Sequence, residues 1–255
     1  MPPIPQPTDF PPSVPIRLSI TPPPTPRSTN ILLLLHGMGD TMGPFTSFAA
    51  AMRLPETTCI ALQAPTPLPF ELPGYHWGDD IVFEPDALGA DPGFSRSTTL
   101  IVRDIIGDVL VRKLGYRARE ILVFGFGQGA GVGLSVGLEV GRRGLGGAEG
   151  ERERELGGIV AVGGVLPLSA IKEDGRGKAG TPVVLVGGSG RESALTDGGV
   201  GRTKGNFGNV EVVRWAGRRG DGMPQNREEM FPIMRFLAGR LRSRAGVPEG
   251  SVEIG

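Results

Sequence analysis

A series of short aliphatic runs constrains this chain more than anything else in it. Residues 31–35 read ILLLL, 58–62 TCIAL, 121–124 ILVF, 159–162 IVAV and 183–186 VVLV, with a more mixed run, VEVV, at 210–213. A run with few polar residues leaves water no side to touch, so it predicts a strand covered on both faces, as in a parallel sheet. The stretches between the runs have helical spacing. Residues 45–52 and 130–140 are apolar enough for short helices, 228–241 is amphipathic, and 97–114 carries apolar residues at 101, 102, 105, 106, 109 and 110 before Gly115 stops it. Strands alternating with helices predict an α/β fold with a mostly parallel central sheet and helices on both faces.

Composition narrows the function classes. Lys plus Arg equals Asp plus Glu at 27 each, so no net charge favours nucleic acid or an anionic membrane surface. Cys59 is the single cysteine, which rules out an intrachain disulfide. The start, MPPIPQPTDFPPSVP, has neither the basic nor the apolar region of a secretory signal, and no apolar run is long enough for a transmembrane helix. The expected compartment is therefore a reducing one, cytoplasm or nucleus. Gly (42) and Pro (24) are in excess and unevenly spread. Residues 1–29 are expected to form an extended or disordered, dispensable arm with a short edge strand near 16–20, of the composition that SH3 or WW domains bind. Residues 30–245 form the α/β domain and 246–255 a flexible tail. Segments 141–158 (with the charge run ERERE), 172–180 and 197–208 read as loops or insertions, and the charge run as a solvated face.

One strand-to-helix junction carries a motif. Val123-Phe124-Gly125-Phe126-Gly127-Gln128-Gly129 sits where α/β-hydrolases place Gly-x-Ser-x-Gly, the elbow that presents a nucleophilic serine. Both flanking glycines are present, but the centre is Gly127, which has no side chain to attack a carbonyl. A dinucleotide or phosphate loop is the competing reading of such a turn. It lacks the G-x-G-x-x-G spacing, and no GKS or GKT follows.

With these motifs the chain resembles the phospholipase/carboxylesterase family that includes the acyl-protein thioesterases. His36-Gly37-Met38-Gly39-Asp40-Thr41 is similar to that family's HGLGDT loop and Trp77-Gly78-Asp79 to its WFD segment. FGFGQGA is similar to its GGFSQGG elbow, and the stretch from Gly158 to Leu168 to its GIVALSxxLPL. Thr181-Pro182-Val183 opens the strand that leads to HGxxD in the family. The resemblance implies an α/β-hydrolase fold and an oxyanion hole made by the backbone N–H groups of Met38 and Gln128. It also implies a pocket near His36, Met38, Trp77, Asp79, Gln128 and Met223. The acid slot falls on Arg191, with Glu192 one residue away, and the histidine slot on Met223.

The base is missing without any alignment as well. The chain's two histidines, His36 and His76, both precede the elbow, whereas in this fold the triad runs nucleophile, acid, histidine along the chain. A serine hydroxyl needs such a base to be nucleophilic at neutral pH, so Ser189 and Ser193 near the acid slot carry no reading of their own. His36 reads as a shaper of its loop and Trp77 as a core or pocket-wall aromatic. Cys59 reads as buried packing. His76 with Asp79 and Asp80 is too small and ordinary a group to assign a metal, and no cofactor is implied. Two classes of function follow. One is a non-catalytic hydrolase relative that binds an acyl chain, a small molecule or a protein partner. The other is an active ester or thioester hydrolase with a non-standard catalytic set.

Overall fold

The computed structural model describes residues 2–12, 14–80, 91–146, 152–172 and 177–243. The tail expected at 246–255 and the middles of the segments 141–158 and 172–180 lie outside the described residues. The centre is a seven-stranded sheet. Its strands are β1 (Leu18–Thr21), β2 (Asn30–Leu35), β3 (Thr57–Leu62), β4 (Ile121–Phe126), β5 (Gly158–Val162), β6 (Val183–Gly188) and β7 (Val210–Trp215), in the spatial order β1-β3-β2-β4-β5-β6-β7. β1 runs antiparallel to β3 and every other pair is parallel.

The helices are α1 (Met42–Met52), α2 (Ser95–Thr99, continuing as a wider π-type winding over Leu100–Lys113), α3 (Gln128–Arg143), α4 (Asp197–Asn206) and α5 (Arg227–Ala238). The aliphatic runs feed both faces of the sheet. Successive strand side chains point to opposite sides. Ile31, Leu33 and Leu35 join Ile105, Val132 and Val136 of α2 and α3 on one face, while Leu32 and Leu34 join Phe45 of α1 and Ile233 and Phe236 of α5 on the other. All five residues of the ILLLL run are fully buried. At roughly 1.5–3 kcal/mol for each large aliphatic side chain withdrawn from water, such runs supply much of the drive to fold.

Two segments depart from the sequence reading. The polar, glycine-rich stretch expected to be a loop at 197–208 forms helix α4. Thr196 caps it, its hydroxyl accepting from the Gly199 N–H at 3.2 Å, and the helix buries its own Val200 and Thr203. Tertiary burial and the cap outweigh the low helix propensity of four glycines. The proline-rich arm is extended, as its prolines require, but it lies against the domain. Phe10 is buried in the core, and Val14, Ile16, Leu18 and Ile20 pack on it. The Tyr116 hydroxyl donates to the Pro3 carbonyl at 3.1 Å, and Lys113 pairs with Asp9 at 3.0 Å. The arm's few apolar side chains are enough to hold it, and a count of its prolines does not reveal this. The edge strand expected near 16–20 is β1, paired to β3. No helix among the described residues is long and apolar enough to cross a membrane.

Candidate functional site

The junction between β4 and α3 has the geometry its glycines allow. Gly127 sits between them at φ 53°, ψ −118°, backbone that is strained for any residue with a Cβ. Its neighbours are glycine for a different reason, close approach. A Cβ on Gly125 would lie 2.3 Å from the Gly129 carbonyl oxygen, and one on Gly129 would lie 2.3 Å from the Leu35 carbonyl oxygen. At Gly127 itself there is room, since the nearest atom to an added Cβ is the Gly37 Cα at 3.8 Å. The turn is thus a sharp strand-to-helix elbow whose central residue could hold a side chain sterically but has none.

Two backbone donors flank this empty centre. Gln128 is the first residue of α3, where an N–H has no partner within the helix. Met38 lies in the loop after β2. Neither N–H has a hydrogen-bond partner among the described residues. The positive end of a 16-residue helix adds to the attraction for an oxygen carrying negative charge.

The loop after β2 is held by a chain of contacts through Trp77. The Trp77 indole N–H donates to the His36 carbonyl at 2.8 Å, and its backbone N–H donates to Gln128 Oε1 at 3.0 Å. The Ser97 hydroxyl donates to the Trp77 carbonyl at 2.7 Å. Gln128 Nε2 in turn reaches Met38 Sδ at 3.6 Å. The His36 ring is equally fixed. Its Nε2 accepts from the Ala64 N–H at 3.0 Å and faces the Gln63 side-chain nitrogen at 2.7 Å, so the ring proton belongs on Nδ1, against the Gly37 carbonyl at 2.7 Å. Burial pushes the His36 imidazole below its ordinary pKa, more than the Gly37 carbonyl and Asp40 pull it up. His36 and Trp77 are fully buried, so they brace the loop and the elbow from beneath and offer no open pocket surface. Asp79 is half-buried, and its carboxylate is occupied as the cap of α2, accepting from the Ser95 N–H at 2.8 Å and the Arg96 N–H at 2.9 Å. Met38 is exposed.

The remaining slots lie in two connections at the same end of the sheet. Arg191 and Glu192 are exposed in the one after β6. Met223, in the one before α5, packs partly buried against the core cluster that holds Phe126, Trp215 and Ile233. None of these three positions is a histidine or a serine. A residue the sequence reading passed over links these two connections. Asp221 lies beside Gly163 at the end of β5, and its carboxylate accepts from the Gly188 N–H at 2.9 Å, the Ser193 hydroxyl at 2.8 Å and the Ala194 N–H at 2.6 Å. Its only mark in the sequence is an Asp-Gly pair in a loop, a turn signal that says nothing of partners. Burial pushes the Cys59 thiol up to about 12, so it stays protonated and unreactive. His76 is buried with both ring nitrogens unpartnered among the described residues. No group of three metal-ligating side chains occurs among the described residues, Asp79 and His76 included.

A mostly parallel sheet sheathed on both faces, with a sharp glycine elbow between its central strand and helix, is the α/β-hydrolase fold. A sequence profile of the phospholipase/carboxylesterase family matches residues 18–193. The chain is 31% identical to an uncharacterized hydrolase of Mycosarcoma maydis over 221 residues, which cover 85% of this chain and 78% of that protein. It is 37% identical to an uncharacterized hydrolase of Schizosaccharomyces pombe over 145 residues, 55% of each chain, so that match spans about half the relative's length. The crystal structure of acyl-protein thioesterase 2 from Zea mays superposes with a TM-score of 0.64 at 19% identity, over 89% of this chain and 99% of that one. The chain belongs to the phospholipase/carboxylesterase family.

Proposed function

We propose that this chain is a non-hydrolysing member of its family, one that binds an acyl carbonyl or carboxylate at the elbow without cleaving it. The observation that carries the reading is Gly127 in the elbow conformation, with free donors on Met38 and Gln128 beside it. Attack on an ester or thioester needs a nucleophile and a base to activate it. Gly127 supplies no nucleophile, and the histidine slot holds Met223. The acid slot holds Arg191, with Glu192 beside it. What is left is the half of the machinery that recognises an oxygen: two N–H groups preset by the backbone, one of them at the N-terminus of a helix. Such donors bind a carboxylate or a carbonyl whether or not a nucleophile follows. The ligand or partner presenting that oxygen is of small-molecule or acylated-protein type, and the reading calls for no cofactor or metal.

The test is labelling together with turnover. The purified chain should not react with a fluorophosphonate probe and should not hydrolyse a short acyl thioester above the buffer rate. Gly127→Ser should not restore turnover, because the residues of a triad act as a unit and the base is still absent. Stoichiometric labelling of any serine, or turnover by the wild type, would overturn the reading in favour of an active hydrolase with other catalytic residues.

A further inference from the structure

Two connections meet at the rim beside the elbow, residues 189–196 between β6 and α4 and residues 216–226 between β7 and α5. Backbone bonds lace them together: the Ser189 N–H donates to the Arg218 carbonyl at 2.8 Å and the Gly190 N–H to the Arg219 carbonyl at 3.0 Å. Asp221 then reaches across from the second connection and gathers the Gly188 N–H, the Ser193 hydroxyl and the Ala194 N–H onto one carboxylate. The surface it lies on is stripped of side chains. A Cβ on Gly187 would lie 2.5 Å from Asp221 Oδ1, and one on Gly163 would lie 2.7 Å from Asp221 Cβ. On Gly188 it would lie 2.5 Å from the Gly220 carbonyl oxygen, and on Gly190 2.6 Å from that of Arg219. Any of these side chains would lift the second connection off the first. The run Gly187-Gly188-Ser189-Gly190 is therefore a bed on which residues 218–221 are laid.

We infer that Asp221 is a tie that locks this rim, joining by hydrogen bonds the two connections that carry the acid and histidine slots. Hydrogen bonds to a charged acceptor are the stronger kind, and three of them on one carboxylate add to the backbone bonds in offsetting the entropy of ordering a short glycine-rich segment. The tie does not depend on whether the chain turns over an ester. It requires only that the carboxylate be the group that orders residues 188–194.

Amide hydrogen exchange on the full chain tests this directly. In Asp221→Asn the amides of residues 188–194 should exchange at least about tenfold faster, through local opening, while those of β2 and β4 keep wild-type rates. Ser193→Ala, which removes one of the three donors and leaves the carboxylate, should show a smaller rise at the same amides and at Leu195, whose N–H donates to the Ser193 hydroxyl at 3.2 Å. Unchanged exchange at 188–194 in both variants would overturn the inference, and so would an equal rise across every strand. Should Asp221→Asn fail to fold, Ser193→Ala decides alone, a local rise supporting the tie and none refuting it.

Discussion

One half of the site is built from residues 36–38, 77 and 125–129, and the other from the connections at 187–196 and 216–226. The first half keeps everything that backbone provides. Gly125 and Gly129 still let β4 and α3 meet the loop after β2, and Trp77 still braces that loop against Gln128. In the second half the positions where the resemblance puts acid and base are Arg191 and Met223, and a carboxylate from an unexpected position fastens the two connections to each other. The contrast has a physical origin. Close approach of backbones is needed to fold at all, so the glycines that permit it are fixed by packing whether or not chemistry follows. A general base serves only turnover, and nothing in the packing demands it.

The largest effect should come from the half that packing fixes. Gly129→Ala would place a methyl 2.3 Å from the Leu35 carbonyl oxygen, against backbone in the middle of the sheet that has no way to yield. The expected loss is at or above ~3 kcal/mol, the upper range for an added methylene in a packed site, and could abolish folding. Chemical denaturation reads it. A midpoint within experimental error of the wild type would mean that the elbow is not held as tightly as described, and the contrast between the two halves would fail.

Gly127→Ala sharpens the same comparison, because it separates strain from crowding. The added Cβ meets only the Gly37 Cα, at an ordinary 3.8 Å, so the cost is that of holding alanine at a positive φ, on the order of 1–3 kcal/mol. Any residue with a side chain here must carry that strain, which glycine avoids. A denaturation midpoint unchanged or raised in Gly127→Ala would show that the turn relaxes when a side chain is added. The elbow would then not be a strained site.

The fold was legible in the sequence to the extent that burial is one-dimensional. Every aliphatic run became a strand of the sheet, and the helices fell between them, with ends shifted by a few residues. Helix α4 was not legible, because its glycines argue against it locally and its support comes from Thr196 and from side chains buried far along the chain. The elbow could be read because its motif is local. Asp221 could not, because its meaning lies in three donors between 27 and 33 residues away in sequence. The same holds for the arm, whose docking depends on Tyr116 and Lys113 more than a hundred residues on.

The smallest effect expected is a pH dependence, and it belongs wholly to the first half of the site. Both histidines of the chain lie there or next to it, His36 in the loop after β2 and His76 beside Trp77. Burial lowers the pKa of each, and His76 has no hydrogen-bond partner among the described residues to offset it. A histidine whose folded-state pKa is depressed is held neutral by the fold. Above the ordinary value near 6.5 it is neutral folded and unfolded alike and leaves stability unaffected. As pH falls below that value the unfolded chain takes up a proton that the folded chain resists, so stability declines until the folded-state pKa is passed. Denaturation midpoints should therefore fall between roughly pH 6.5 and 5, in addition to whatever the carboxylates contribute at lower pH. His76→Phe keeps an aromatic ring of similar size, removes two buried unpartnered nitrogens, and should flatten that decline while leaving the share due to His36. Met223→His provides the opposing control, because it puts a histidine into the half of the site that has none. If His76→Phe left the slope between pH 6.5 and 5 unchanged, His76 would not be titrating as a buried, unpartnered group. The acid sensitivity would then rest on His36, the other buried histidine of that half, or on groups outside it.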